Sequence, residues 1–353
     1  MKTIEVKTNH PYTVLIGEQL LPRTAELIKD VCNYQKVAII SDDMVADYYL
    51  NTVVSSFSTD KQVFCYIFPH GEQSKSADTL LQIYHFLAQN QFTRSDLIIA
   101  LGGGVVGDLA GFAASSFLRG VPYVQIPTTL LAQVDSSVGG KTAINIPAGK
   151  NLVGSFYQPA RVLCDTNTLS TLSKVNFSSG IAEVIKYACI YDRSLFEQIQ
   201  DIQHANMTDI ITRCIQIKAD IVCKDEFDTG MRMILNFGHT IGHAIEKHYH
   251  FSTYTHGQGV AIGMVKMTQL SEKAGLTQPG CAQQIIKLCQ SVGLPTDCEI
   301  DTQTLFDICC LDKKNLNQSI HLILLKEIGT CLIHKLSHSE FQAFLNQSKD
   351  NQL

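Results

Sequence analysis

The chain has 353 residues, of which 45% are hydrophobic and 17% charged, and its net charge is −5. That length and apolar content suffice for a large core and for two domains. The mild acidity gives no general attraction to nucleic acid or to an anionic membrane, and no long single-sign run marks a disordered segment.

The opening stretch, MKTIEVKTNHPYTVLIG, is interrupted by charges and is not expected to be a signal peptide. No window of about 20 apolar residues suggests a membrane span. Short apolar runs then alternate with helix-length segments. The runs are Lys36–Ser41, Val63–Phe68, Asp96–Leu101, Tyr123–Ile126 and Arg161–Cys164. Such spacing predicts a mostly parallel sheet covered by helices. After about residue 175 the pattern turns helical, with Ile181–Tyr187, Met207–Cys223 and Ala282–Val292 as predicted helices. The reading is therefore α/β. A Rossmann-like parallel sheet domain is expected over residues 1–170, and a mainly α-helical domain over 171–353. A cleft between them is the expected ligand site. The twelve cysteines are scattered and form no CxxC pair, so they read as reduced, mostly buried thiols. A cytoplasmic location is the expectation.

Leu101-Gly-Gly-Gly-Val-Val-Gly-Asp108 follows an apolar run and precedes a predicted helix, Leu109–Leu118. Gly102, Gly104 and Gly107 satisfy GxGxxG. Glycines there let the backbone approach a pyrophosphate, while a helix N-terminus offers free N–H groups. A tight strand-to-helix turn without ligand has the same pattern. Asp42 ends an earlier run, where it suits a ribose hydroxyl or, equally, a helix N-cap. His70-Gly-Glu-Gln-Ser-Lys75 and Thr128-Thr129 end two further runs.

The stretch from Gln125 to Asn145, continued by Gly149-Lys150-Asn151, is dense in possible ligand groups. Gly139-Gly140-Lys141-Thr142 looks like the end of a Walker loop, but Asp135 stands where its first glycine is required. Lys141, Lys150 and Asn151 remain suited to a phosphate. Further on, His239 and His243 are four residues apart and would share a helix face. His256 starts another predicted helix, and Glu183 lies in an apolar one. One carboxylate and two imidazoles with open positions suit a catalytic zinc. Glu183 and Lys186 are also at the spacing of an ordinary i,i+3 ion pair.

Together these residues resemble one family, the 3-dehydroquinate synthases of the shikimate pathway. The resemblance runs from Gly71-Glu72 to about Gly329. It is carried by GGGVVGDLAGF, IPTTLLAQVDSSVGGKTAIN, GKNLVGSFYQP, IAEVIKY, MRMILNFGHTIGHAIE and HGQGVAIGM. It implies a divalent metal, Zn2+ or Co2+, on Glu183, His239 and His256, with His243 beside the substrate. It implies NAD held by Asp42, by Gly71, Glu72 and Lys75, and by the turn Gly104, Val105, Val106, Gly107 and Asp108. Thr128, Thr129, Lys141 and Lys150 would join them, with the turn Thr168, Leu169, Ser170 and Thr171. Substrate contacts would come from Asp135, Lys141, Lys150, Asn151 and Lys186. Lys218, Arg232, Asn236 and His243 complete that set, with one lysine of Asp312-Lys313-Lys314, either Lys313 or Lys314. Arg119 would reach across a homodimer interface.

The implied reaction converts 3-deoxy-D-arabino-heptulosonate 7-phosphate to 3-dehydroquinate and phosphate. Its steps are transient oxidation by NAD, phosphate elimination, re-reduction, ring opening and intramolecular aldol closure. The sequence departs from the family's usual pattern at Gln258-Gly259, at Phe237 and at Asn317-Gln318, none of which is a proposed ligand. Two other readings compete. A sister sugar-phosphate cyclase would act on a substrate without the carboxylate, which Lys218, Arg232 and Asn236 are suited to bind. A metal-dependent NAD alcohol dehydrogenase shares the two-His helix but has no use for the SSVGGKTAIN and GKNLVG segments.

Overall fold

The computed structural model describes residues 1–202, 204–310 and 319–346. The chain opens with an antiparallel pair, β1 (Lys2–Val6) and β2 (Tyr12–Gly17). Helix α1 (Thr24–Ile28) leads to β3 (Lys36–Asp42), α2 (Asp43–Val54), β4 (Gln62–Phe68) and α3 (Ala77–Gln89). Next come β5 (Leu97–Gly102), α4 (Gly104–Ser116) and β6 (Tyr123–Pro127). A hairpin of β7 (Lys141–Ile146) and β8 (Gly149–Phe156) precedes β9 (Arg161–Asp165). Helices α5 (Lys174–Tyr191), α6 (Arg193–Gln198) and α7 (Met207–Lys224) follow, then α8 (His239–His248) and α9 (His256–Lys273). The last elements are α10 (Cys281–Ser291), α11 (Thr302–Cys310), the hairpin β10 (Ser319–Glu327) and β11 (Thr330–Ser337), and α12 (His338–Asn346).

Two compact units result. The first comprises Met1–Leu172 and Met207–Phe227; the second comprises Ser173–Asn206 and the chain from Asp228 onward. Helix α7 thus packs with the sheet unit, against β1, β2 and the single π-helical turn Ala132–Ser136, although it follows residue 170 in the chain. Its buried stripe of Ile210, Cys214, Ile217 and Ile221 supplies the apolar face for that contact.

In the first unit the sheet order is β1-β2-β9-β6-β5-β3-β4, and every pair except β1–β2 is parallel. The central strands are apolar on both faces because both faces are covered. Val37 and Ile39 of β3, with Leu97, Ile99 and Leu101 of β5, pack with Leu27, Ile28 and Val53. Ala38, Ile40, Ile98 and Ala100 point the other way, onto Leu80, Ile83, Val106 and Leu109 of α3 and α4. This two-residue alternation turns one continuous apolar run into two cores.

Three strand pairs lay outside the sequence reading. In β1 the exposed Lys2, Thr3 and Glu5 interleave with the buried Ile4 and Val6, so an edge strand with one wet face shows no apolar run. The β7–β8 hairpin is largely exposed along β8 and was legible only as a ligand-rich segment. The β10–β11 hairpin closes through Gly329 at φ +93° within the otherwise helical second unit.

In that unit α8 and α9 approach backbone to backbone. A Cβ on Gly263 would lie 2.0 Å from the Gly238 carbonyl oxygen and 2.9 Å from the Gly242 nitrogen. Gly263→Ala is expected to lower stability by about 1–3 kcal/mol, the usual cost of overpacking. Chemical denaturation checks this, and an unchanged unfolding midpoint would contradict the close approach.

Candidate active site

The order of the first sheet places a switch point between β3 and β5. The chain goes outward from β3 to β4, then returns across β3 to build β5, β6 and β9. In such sheets ligands bind outside the carboxyl ends of the strands that flank the reversal. Asp42 ends β3 there, and Gly102 ends β5.

Asp42 is the N-cap of α2, its Oδ1 accepting from the Val45 backbone N–H at 2.9 Å. Burial pushes its carboxyl up from the usual range. Helix α4 begins at Gly104, five residues before the predicted Leu109, so Gly104, Val105, Val106, Gly107 and Asp108 form its start. The free N–H groups of that first turn therefore face the strand end. A Cβ on Gly102 would lie 2.5 Å from Val106 Cγ2, so glycine is what lets β5 meet α4.

Three motifs that are far apart in the chain converge beside this turn. Gly71, at φ +106°, precedes a short 3-10 turn Glu72–Ser74. The buried Lys75 ammonium lies 2.5 Å from Asp108 Oδ2 and 2.5 Å from Asn151 Oδ1. Burial raises the Asp108 carboxyl, and Lys75 opposes that shift. Glu72 Oε1 accepts from Asn145 Nδ2 at 2.8 Å and lies 3.9 Å from Lys150 Nζ.

The remaining first-unit candidates are less uniform. Thr129 Oγ1 accepts from the Ala132 N–H, and Thr128 Oγ1 is buried without a hydrogen-bond partner among the described residues. The Thr168–Thr171 turn carries Leu169 and Ser170. It is braced by Gln133 Nε2 on Thr168 Oγ1 at 3.0 Å and by the Tyr49 hydroxyl on the Thr168 carbonyl at 3.2 Å. The sequence reading missed Gln133 and Tyr49, whose long-range contacts leave no local pattern. Lys218 of α7 donates to Asp135 at its carbonyl oxygen (2.6 Å) and at Oδ1 (2.8 Å). Lys141 and Asn151 are exposed on β7 and β8, and Asn151 is left-handed at φ +55°. Arg119 is also exposed, at φ +66°.

The second unit gathers the acid and the histidines. Helix α5 is buried along Ser178–Ile190, which places Glu183 at 0% and Lys186 at 1% exposure. Their ion pair is 2.5 Å long, so the i,i+3 expectation holds inside the core. Glu183 Oε1 faces Nε2 of both His239 (3.5 Å) and His256 (3.4 Å). The ligand atoms of these three residues all lie within 4.8 Å of one another. His239 starts α8, and its Nδ1 lies 3.1 Å from the Phe237 carbonyl, which leaves Nε2 as the inward nitrogen. His256 starts α9, whose N-terminus is held by a Thr255–Gln258 capping box.

The pKa values of the two rings are shifted in opposite directions. Burial holds His239 neutral and pushes it down to about 3, with Glu183 opposing. Burial acts the same way on His256 but is outweighed by hydrogen bonds to Glu183 and Glu246, which push it up to about 10.

The exposed His243 ring lies 5.3 Å from that of His239 and 5.8 Å from that of His256. Arg232 is buried and Asn236 half-buried in the 3-10 turn that leads into α8. Glu246 is buried on α8 and is a residue that the sequence reading missed. Its spacing, seven residues after His239 and three after His243, would have placed it on their helix face. Lys313 and Lys314 lie outside the described residues.

A switch-point sheet with a glycine turn, and a helical unit with a Glu/His/His cluster, are the parts of an enzyme that uses a nucleotide cofactor and a metal ion. Family models described as 3-dehydroquinate synthase N-terminal and 3-dehydroquinate synthase C-terminal match residues 65–179 and 180–315. The chain belongs to the 3-dehydroquinate synthase family, whose catalysis is that of a phosphate-eliminating cyclase. It is 44% identical over 347 residues to 3-dehydroquinate synthase of Streptococcus suis (strain 05ZYH33), covering 96% of this chain and 97% of that one. It is 52% identical over 278 residues to the enzyme of Clostridium perfringens (strain SM101 / Type A), covering 77% and 79%. Among solved structures it is similar to 2-deoxy-scyllo-inosose synthase complexed with carbaglucose-6-phosphate, NAD+ and Co2+. That match has a TM-score of 0.88 at 25% identity and covers 98% of this chain and 99% of the other.

Lys75→Met leaves a buried site without its cation, which faces a half-buried carboxylate and an amide oxygen. It is expected to cost about 3 kcal/mol of stability, as when one partner of a buried ion pair is lost. Urea unfolding measures this, and a loss below the noise of the method would show that Lys75 does not hold the three motifs together.

Proposed function

We propose that the protein converts 3-deoxy-D-arabino-heptulosonate 7-phosphate to 3-dehydroquinate and phosphate, with NAD and Zn2+ or Co2+ as cofactors. The observation that carries this reading is the Glu183–His239–His256 cluster. Its donors fit a divalent ion: a fully buried carboxylate and two Nε2 atoms aimed at it, the usual set for a catalytic zinc. When bound, NAD supplies a hydride acceptor and donor within one turnover, and the metal supplies Lewis acidity at the substrate's hydroxyls.

The proposed roles divide by unit. In the first, spanning most of the expected 1–170 domain together with α7, NAD lies at the switch point. Asp42, Glu72, Lys75 and the first turn of α4 bind it, together with Thr128, Thr129 and the Thr168–Thr171 turn. The unpartnered Thr128 hydroxyl supports a polar ligand there. Lys141, Lys150 and Asn151 offer charge-assisted hydrogen bonds to the phosphate. Lys218 donates to Asp135, which suits a hydroxyl, so Lys218 leaves the carboxylate-binding set expected from the sequence. In the second unit Lys186 steadies Glu183 and orients a hydroxyl beside the metal. Arg232 and Asn236 suit the carboxylate, and this supports the acid substrate over those of the sister cyclases. His243 is exposed, with its ring 5.3 Å from that of His239, and this supports a role in proton transfer. A homodimer in which Arg119 reaches a second copy, and a cytoplasmic location, belong to the same proposal. No helix among the described residues is long and apolar enough to cross a membrane.

The test is one assay with heptulosonate phosphate, NAD and zinc, following phosphate, dehydroquinate and NADH together. The expected result is equal amounts of phosphate and dehydroquinate with no accumulating NADH. Absence of phosphate release, or steady NADH formation from simple alcohols, would overturn the reading. Glu183→Ala is expected to lose both bound metal and activity. A folded Glu183→Ala protein with full metal content by elemental analysis would sink the ligand assignment.

A further inference from the structure

Helix α8 carries a carboxylate that the three-ligand set does not use. Glu246 is 7% exposed, and its Oε1 lies 3.3 Å from His256 Nδ1. The opposite nitrogen of the same ring, Nε2, lies 3.4 Å from Glu183 Oε1. His256 therefore has one carboxylate at each nitrogen. An imidazole presents a lone pair at one nitrogen only while the other keeps its proton, and an acceptor at that second nitrogen holds it there. His239 is arranged the same way, with the Phe237 carbonyl at Nδ1 and Nε2 toward Glu183. Both rings thus turn Nε2 inward, each through a partner outside the cluster.

We propose that Glu246 is a positioning residue, which accepts the Nδ1–H of His256 and so presents Nε2 to the metal. This rests on the metal reading above. A rival arrangement exists, because His243, Glu246 and His256 also bring ligand atoms within 4.8 Å of one another. In that arrangement Glu246 would ligate the ion directly. The burial of Glu183 at 0% and the matched orientation of the two rings favour the positioning role.

The test measures zinc affinity of the full chain by competition with a chromophoric chelator, for the unaltered protein and for E246A, E246Q and E183A. Cobalt-loaded samples are compared by visible absorption, which reports the number of ligands. E246A is expected to weaken zinc binding about 10–100-fold, the usual effect of losing such a partner. E246Q keeps an acceptor oxygen without the charge and should lose less. The cobalt spectrum should show an unchanged ligand count in both. Unchanged affinity in both variants would overturn the proposal, and a lost ligand in E246A would overturn it in favour of direct ligation. Should E246A fail to fold, E246Q carries the comparison. If E183A binds zinc as tightly as the unaltered protein, the metal reading fails instead, so the two failures are distinguishable.

Discussion

Burying a carboxylate completely is expensive unless charged or coordinating partners face it. Glu183 is buried completely, and much of the second unit is arranged around that fact. Its own helix supplies Lys186 one turn on. The other facing groups come from the starts of α8 and α9, so those two helices must begin at the same place. Glycine makes that possible: Gly263 admits the Gly238 carbonyl, and a Cβ on Gly257 would lie 2.1 Å from the Ser179 carbonyl oxygen of α5. Small residues at these contacts let three helix backbones close to the distance at which Nε2 atoms meet a carboxylate.

The first unit meets a different constraint with similar means. A parallel sheet collects its loops at the carboxyl ends of the strands, where the helix N-termini also lie. Polar and charged groups concentrated there need partners. Lys75 meets two of them at once, tying the loop after β4 to the start of α4 and to β8. Lys218 does the same for α7 and the Ala132–Ser136 turn. Each ammonium joins segments that the sheet alone would leave independent.

The second unit adds an outer layer of partners to its cluster. The Phe237 carbonyl and the Glu246 carboxylate sit at the far nitrogens of the two rings. An acceptor at one ring nitrogen favours the proton there and leaves the other nitrogen's lone pair facing inward.

Much of this was legible in the sequence wherever a local period or a local turn carried it. The apolar runs of β3 and β5, the glycine turn before α4, the i,i+4 histidines and the i,i+3 Glu183–Lys186 pair all depend on neighbours a few residues away. Residue types in those patterns were enough to expect a nucleotide-type sheet and a metal-type cluster. What only the tertiary structure decided involves partners with no fixed spacing. Helix α7 returns to the sheet unit because its apolar stripe fits β1 and the Ala132–Ser136 turn, and its own periodicity does not say which surface it will cover. Lys75 finds Asp108 and Asn151, and Glu246 finds His256, only after strands and helices have packed. Hydrogen bonds and ion pairs act over a few ångströms of space, and chain separation carries no record of which distant groups packing will bring that close.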